Sequence, residues 1–167
     1  MDGLGRFRDA GDMKNTLFDH IVVCVDNSDA AAVALDEAWR LRHALGAAAH
    51  FSLVHVIVSP IAVMGHGAMW VPDPSEIEAG AKEWLELTAS SHPGADIVLL
   101  EGYPAAAVCD WAAQADVDLI VASSSRGIFD RVLLGSFAGY LSRHAPCSVL
   151  LTRPHAATAS DVADDRS

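Results

Sequence analysis

VASSSRGIFDRVLLGSFAGYLSRHAPCSVLL, residues Val121–Leu151, is the stretch that decides how this chain folds. It begins at the end of an apolar run, Val121-Ala122, crosses a segment rich in Ser, Arg and Gly, and resumes a helical pattern at Ser136. The connection from Ser123 to Gly135 is far longer than the ~2–6 residues usual between a strand and a helix, and long loops in compact domains tend to carry function. Two short apolar runs flank the helix: DLIVAS (118–123) before it and CSVLLTR (147–153) after it. A strand, a helix and a further strand form the repeating unit of a parallel sheet.

The same alternation extends back through the chain. HIVVCVD (20–26) is a continuous β-branched run closed by a turn signal, the pattern of a strand buried on both faces. From Ser28 to Leu45, residues Ala31, Leu35, Ala38, Leu41 and Leu45 form one helical stripe, and Gly46 is placed to end it. HFSLVHVIV (50–58) reads as the second strand and Pro74–Ser91 as the second helix, with Pro at its start and acids in its first turn. DIVLLEG (96–102) is a third strand, Pro104–Ala115 a third helix and Ser136–His144 a fourth. The predicted fold is therefore α/β: a doubly wound, five-stranded parallel sheet with helices on both faces. If strand four returns to the far side of strand one, the order is 3-2-1-4-5, and a ligand crevice opens between the carboxyl ends of strands one and four. Residues 18–153 form the domain. The segments 1–17 and 154–167, without hydrophobic period, are expected to be flexible arms, the second of them acidic.

Composition narrows the function. At 167 residues and 51% hydrophobic, the chain can bury a full core, which excludes global disorder. Its formal charge of -11 opposes nucleic-acid binding by counterion release, which would require a local basic patch that the sequence lacks. Cys24, Cys109 and Cys147 are widely spaced in apolar runs and read as reduced core thiols. No apolar run is long enough for a membrane span, and the N-terminal stretch lacks the features of a signal peptide, so a cytoplasmic protein that binds neither nucleic acid nor membrane is expected. Neither a Walker A sequence, a Gly-x-Ser-x-Gly elbow nor zinc-ligand spacing is present, and no nucleophile comes with its base; the chain is not expected to be an enzyme. GHGAMW (65–70) is a near miss to a dinucleotide fingerprint and is read as a variable lid, while His55, inside a strand, reads as a core histidine.

Two turns flank the expected crevice, and each has two readings. In VDNSD (25–29), Asn27 or Ser28 caps the following helix, or Asp26 accepts a bond from a purine or sugar. In the long connection, Gly135-Ser136 is a helix cap, or it is an anion site in which free N–H groups and the helix dipole hold phosphate. Arg126 and Arg131 could then add charge-assisted bonds.

Val-Asp-x-Ser after the first strand, VHVI in the second, EGYPAAAVCDWAAQADVDLIVASS (101–124) and LLGSFAGYLSRHAPCSVLL (133–151) together resemble the universal stress protein family. The resemblance implies this five-stranded sheet, a homodimer paired through the last strand (Cys147 to Thr152), an unidentified protein partner, and a role in sensing or regulating stress. It also implies ATP binding, with Mg2+ as its companion, through a Gly-x2-Gly-x9-Gly-Ser/Thr motif. Carried onto this chain, Asp26 would face the adenine with Asn27 and Ser28 beside it, and the backbone at Val56 would contact the ring. Ser123, Arg126, Gly127, Gly135, Ser136 and Phe137 would also line the nucleotide site, with Gly135 and Ser136 matching the phosphate-holding end of the motif. The first two motif glycines fall on Ala122 and Ser125. An L-residue forced to a positive φ on binding costs roughly 1–2 kcal/mol; Ala and Ser are small enough to leave the crevice open, so ATP binding stays the leading reading, and these two substitutions are the sequence support for the alternative, a dimeric interaction module of the same family without nucleotide. ADP or another adenine nucleotide in place of ATP is equally compatible with contacts made mostly by backbone.

Overall fold

The computed structural model describes residues 17–46, 48–58, 73–124 and 135–153. Expectations placed on the two terminal arms, on GHGAMW and on Ser125, Arg126, Gly127 and Arg131 lie outside these residues. The chain alternates throughout: β1 (His20–Cys24), α1 (Asp29–Ala44), β2 (His50–Ile57), α2 (Pro74–Ser90), β3 (Ala95–Glu101), α3 (Pro104–Gln114), β4 (Leu119–Ser123), α4 (Ser136–His144) and β5 (Ser148–Thr152). All strand pairs are parallel, and the order is β3-β2-β1-β4-β5, as the sequence predicted.

Side-chain alternation along the strands builds a core on each face of the sheet. Ile21, Val23, Phe51 and Leu53 point to the side covered by α1 and α2, where Ala34, Ala38 and Leu85 meet them. Val22, Val54 and Ile120 point to the other side, against Val108 of α3 and Leu141 of α4. Each large apolar side chain buried in this way contributes about 1.5–3 kcal/mol. Helix α1 is set locally at both ends. The Ser28 hydroxyl accepts a bond from the Ala31 N–H (3.2 Å), Asp29 favours the positive end of the dipole, and Gly46 at φ +94° provides the left-handed exit. No helix among the described residues is long and apolar enough to cross a membrane.

The amino end of the sheet is closed by polar groups. The Asp118 carboxylate accepts bonds from the N–H groups of Asp19 and His20, both at 3.0 Å, and joins the β1 and β4 entries. The buried His20 ring has its Nδ1 on the Ala115 carbonyl (3.2 Å) and its Nε2 beside the Ser52 hydroxyl (2.9 Å). A carbonyl only accepts, so Nδ1 donates, and the neutral ring leaves Nε2 to accept from Ser52. Desolvation holds this histidine below its ordinary 6.5, and the nearby His50 adds to the effect; the Ala115 bond and the Asp118 and Asp96 carboxylates oppose it. The unfolded chain therefore binds the extra proton first. His20 contributes its full share of stability above pH 6.5 and loses it as pH falls from there through the depressed folded value. Urea titrations at pH 7.5 and 5.5 should show a falling midpoint, and His20→Gln should flatten that dependence by at most about 1.4 kcal/mol per pH unit, the slope of one proton. An unchanged slope in the variant would remove His20 from this role.

Candidate functional site

At the opposite, carboxyl end of the sheet lies a cavity of about 540 Å³, within the ~300–1,000 Å³ typical of small-ligand pockets. It occupies the expected position, bordered by the ends of β1 and β4. Its wall has two characters. Val54, Val56 and Val58 from β2 and its exit, with Pro104 and Val108 from α3, form an apolar side; Asp26, Ser28, Ser123, Ser124 and Ser136 supply polar groups. The starts of α1, α3 and α4 all border it.

These three helix starts differ in how their N–H groups are used. At α1, Ser28 is the cap, and the Asp26 carboxylate accepts from both the Ser28 N–H (3.2 Å) and the Ser28 hydroxyl. Ser28 thus caps α1, as one reading of VDNSD has it, and the same hydroxyl orients Asp26 at the cavity wall. Asn27 is exposed and does not line the cavity. At α4, Gly135 occupies the cap position and no side chain caps the helix. The Gly135 N–H is spent on the Ser124 carbonyl (3.0 Å), while the Gly135 carbonyl receives the Gly139 N–H (2.8 Å). The first-turn donors directed out of the helix are therefore those of Ser136, Phe137 and Ala138, and Ser136 is the first helical residue rather than the cap. Helix α3 likewise lacks a side-chain cap, and its first residue, Pro104, has no N–H.

Of the expected site residues, Asp26, Ser28, Val56, Ser123, Gly135, Ser136 and Phe137 border this one cavity. Ala122 does not. It is wholly buried within β4, opposite Leu151 of β5, and packs into the core under α3 and α4. Among the described non-glycine residues only Asp116 has a positive φ, so Ala122 sits in this structure without the left-handed backbone that a motif glycine would permit. His55 has both a packing role and a place on the wall: its Nδ1 donates to the Val25 carbonyl (2.9 Å) and its ring meets Trp84 edge-on at 5.1 Å. Cys24 also opens onto the cavity. Desolvation, reinforced by the neighbouring thiols and Asp26, pushes it up to about 12, so it remains an unreactive thiol.

Sequence reasoning missed the wall supplied by Val54, Val58, Tyr103, Pro104 and Val108. A signal for Tyr103 existed. Gly102-Tyr103-Pro104 is the turn from β3 into α3 on the same sheet edge, adjacent to the strand that carries Val56.

The sequence profile of the universal stress protein family matches residues 17–153, the whole of the α/β unit. The chain belongs to the universal stress protein family. A universal stress protein of Methanothermobacter thermautotrophicus is 35% identical over 69 residues, 40% of this chain and 47% of that protein, so the match spans about half of the relative's length. The structure of a universal stress protein from Lactobacillus plantarum superposes with a TM-score of 0.58 at 26% identity, covering 80% of this chain and 97% of that one. A universal stress protein in complex with cAMP gives 0.58 at 19% identity over 81% and 97% of the two chains. The Archaeoglobus fulgidus protein in complex with dAMP gives 0.53 at 24% over 78% and 94%. At these identities the last two speak for the shared fold.

Proposed function

We propose that this universal stress protein binds an adenine nucleotide in the cavity at the carboxyl end of the sheet and acts as a nucleotide-dependent regulator in a stress response. The observation that carries the reading is the pairing of an apolar wall on β2 with an α4 start that has no side-chain cap, at the Gly135-Ser136 end of the family motif. The Asp26 carboxylate disfavours phosphate at the β1 end of the cavity, whereas the α4 dipole favours it at the other. The ligand would accordingly lie with its phosphates at Ser136–Ala138 and its ring toward Val56. The adenine nucleotides in the cAMP and dAMP complexes of the related folds support this choice of ligand. ATP is the ligand implied by the family motif, whose Gly135-Ser136 end this chain keeps. Mg2+ would enter on its phosphate oxygens, which this ion favours over all-protein cages. Binding, not turnover, is the proposed activity. A homodimer through β5, whose Leu150 is 38% exposed on an edge strand, and a cytoplasmic location complete the proposal.

The test is direct. Protein purified without added nucleotide is denatured, and the supernatant is resolved on an ion-exchange column beside ATP, ADP and AMP; ATP and Mg2+ are then titrated calorimetrically into native protein. Near-stoichiometric adenine nucleotide or micromolar affinity is expected. An empty protein that also ignores millimolar ATP would overturn nucleotide binding and favour the dimeric interaction module.

A further inference from the structure

Tyr103 occupies a position that its role in the fold does not explain. It is 63% exposed at the rim of the cavity, although large aromatic side chains are ordinarily covered. It stands at the cap position of α3 yet makes no side-chain cap bond. Its backbone, by contrast, is closely fixed. Gly102 turns at φ +119° with its N–H on the Ile57 carbonyl (3.1 Å), which seats Tyr103 beside the end of β2. Pro104 then begins the helix. The ring meets Tyr140 of α4 edge-on, with centroids 6.2 Å apart, and Tyr140 in turn lies 4.3 Å from the His144 ring. One flank of Tyr103 is thus supported by α4, and Tyr103 lines the same cavity as Val56 and the half-exposed Val58.

From this we infer that Tyr103 is a base-stacking residue: its ring provides a flat platform for the heteroaromatic ring of the ligand and selects a nucleotide over the same phosphates without a base. The inference rests on the nucleotide reading above and adds the residue that reads the ring. Stacking is indifferent to the pattern of donors and acceptors on a base, because every base offers a π-face. Tyr103 therefore supplies affinity for a flat ring, and discrimination among bases is left to the edge contacts along β2.

The experiment compares wild type, Tyr103→Ala and Tyr103→Phe for ATP binding by calorimetry, with inorganic tripolyphosphate as a competitor that lacks the ring. Tyr103→Ala is expected to weaken ATP roughly 5- to 100-fold, the range for loss of one stacked aromatic. Tyr103→Phe should keep wild-type affinity, and tripolyphosphate should compete equally with all three proteins. Thermal melts of Tyr103→Phe and wild type should coincide, and that of Tyr103→Ala should fall by no more than a few degrees, the loss of its edge-on contact with Tyr140. Equal ATP affinity in wild type and Tyr103→Ala overturns the inference alone. So does a parallel loss of tripolyphosphate binding, which would assign Tyr103 to shaping the site. Wild type that binds no ATP overturns the nucleotide reading, and this inference falls with it.

Discussion

Gly135→Asp is expected to weaken ATP binding by roughly 100-fold or more while leaving the protein at least as stable as wild type. Gly135 has an ordinary φ of -55°, and a Cβ added there would meet the Ser124 carbonyl oxygen at 3.5 Å, a normal contact. The backbone therefore accepts a side chain. Aspartate is also among the best cap residues, and here it would fill a cap position that has no side-chain acceptor. Its carboxylate would sit where the phosphates are proposed to bind. Two unit charges about 4 Å apart interact by about 4 kcal/mol at the effective dielectric of a protein surface, enough for a thousandfold effect before screening. Gly135→Asn separates charge from shape, since it caps equally well without repulsion and should lose far less affinity. Calorimetry alongside thermal melts reads both quantities. A Gly135→Asp protein that binds ATP like wild type would move the phosphates away from α4.

The largest effect on stability is expected at the other end of β2. Phe51 is completely buried between β1 and β3, paired in register with Ile21 and Ala95. Trp39 meets its ring edge-on at 5.3 Å, and the Arg42 guanidinium lies 5.9 Å from its centroid, so α1 is anchored to the sheet through this side chain. Truncation of a buried phenylalanine costs about 3–5 kcal/mol, against the ~5–15 kcal/mol that separates most folded domains from their unfolded chains. For a domain of this size, Phe51→Ala should lower the melting temperature by roughly 6–20 °C at fixed protein concentration. Leu87 provides the contrast. It is 71% exposed on α2, and Leu87→Ser should stay within about 0.5 kcal/mol of wild type. A mild Phe51→Ala phenotype would mean that the core collapses to fill the space.

The strand order was legible because each strand is a short, continuous apolar run and each crossover carries its own punctuation. Gly46, Pro74 and Pro104 all mark helix ends where the sequence put them. Boundaries were less legible. The apolar run of β1 continues to Asp26, but the ladder ends at Cys24, because Val25 and Asp26 already turn toward α1 even though the Val25 N–H still reaches the Val54 carbonyl (2.9 Å). Within the site, Asp26, Ser28, Gly135 and Ser136 were visible because turns and caps are local chemistry. Tyr103, Val58 and Val108 were not, because their place on the wall depends on three helix starts meeting across a sheet, a relation that no spacing along the chain records. Ala122 illustrates the converse: a motif position counted along the chain carries no information about which face of β4 its side chain takes.

The two backbone bonds at Ser124 have a wider consequence. Its N–H holds the Thr152 carbonyl at 2.9 Å, and its own carbonyl holds the Gly135 N–H at 3.0 Å. The end of β4, the end of β5 and the start of α4 are thereby fastened at one residue, and the fastening is made of main-chain atoms alone. Exchange of the side chain at this position would leave both bonds in place, so the meeting point of these three elements is held by the course of the backbone and not by the chemistry of any one residue.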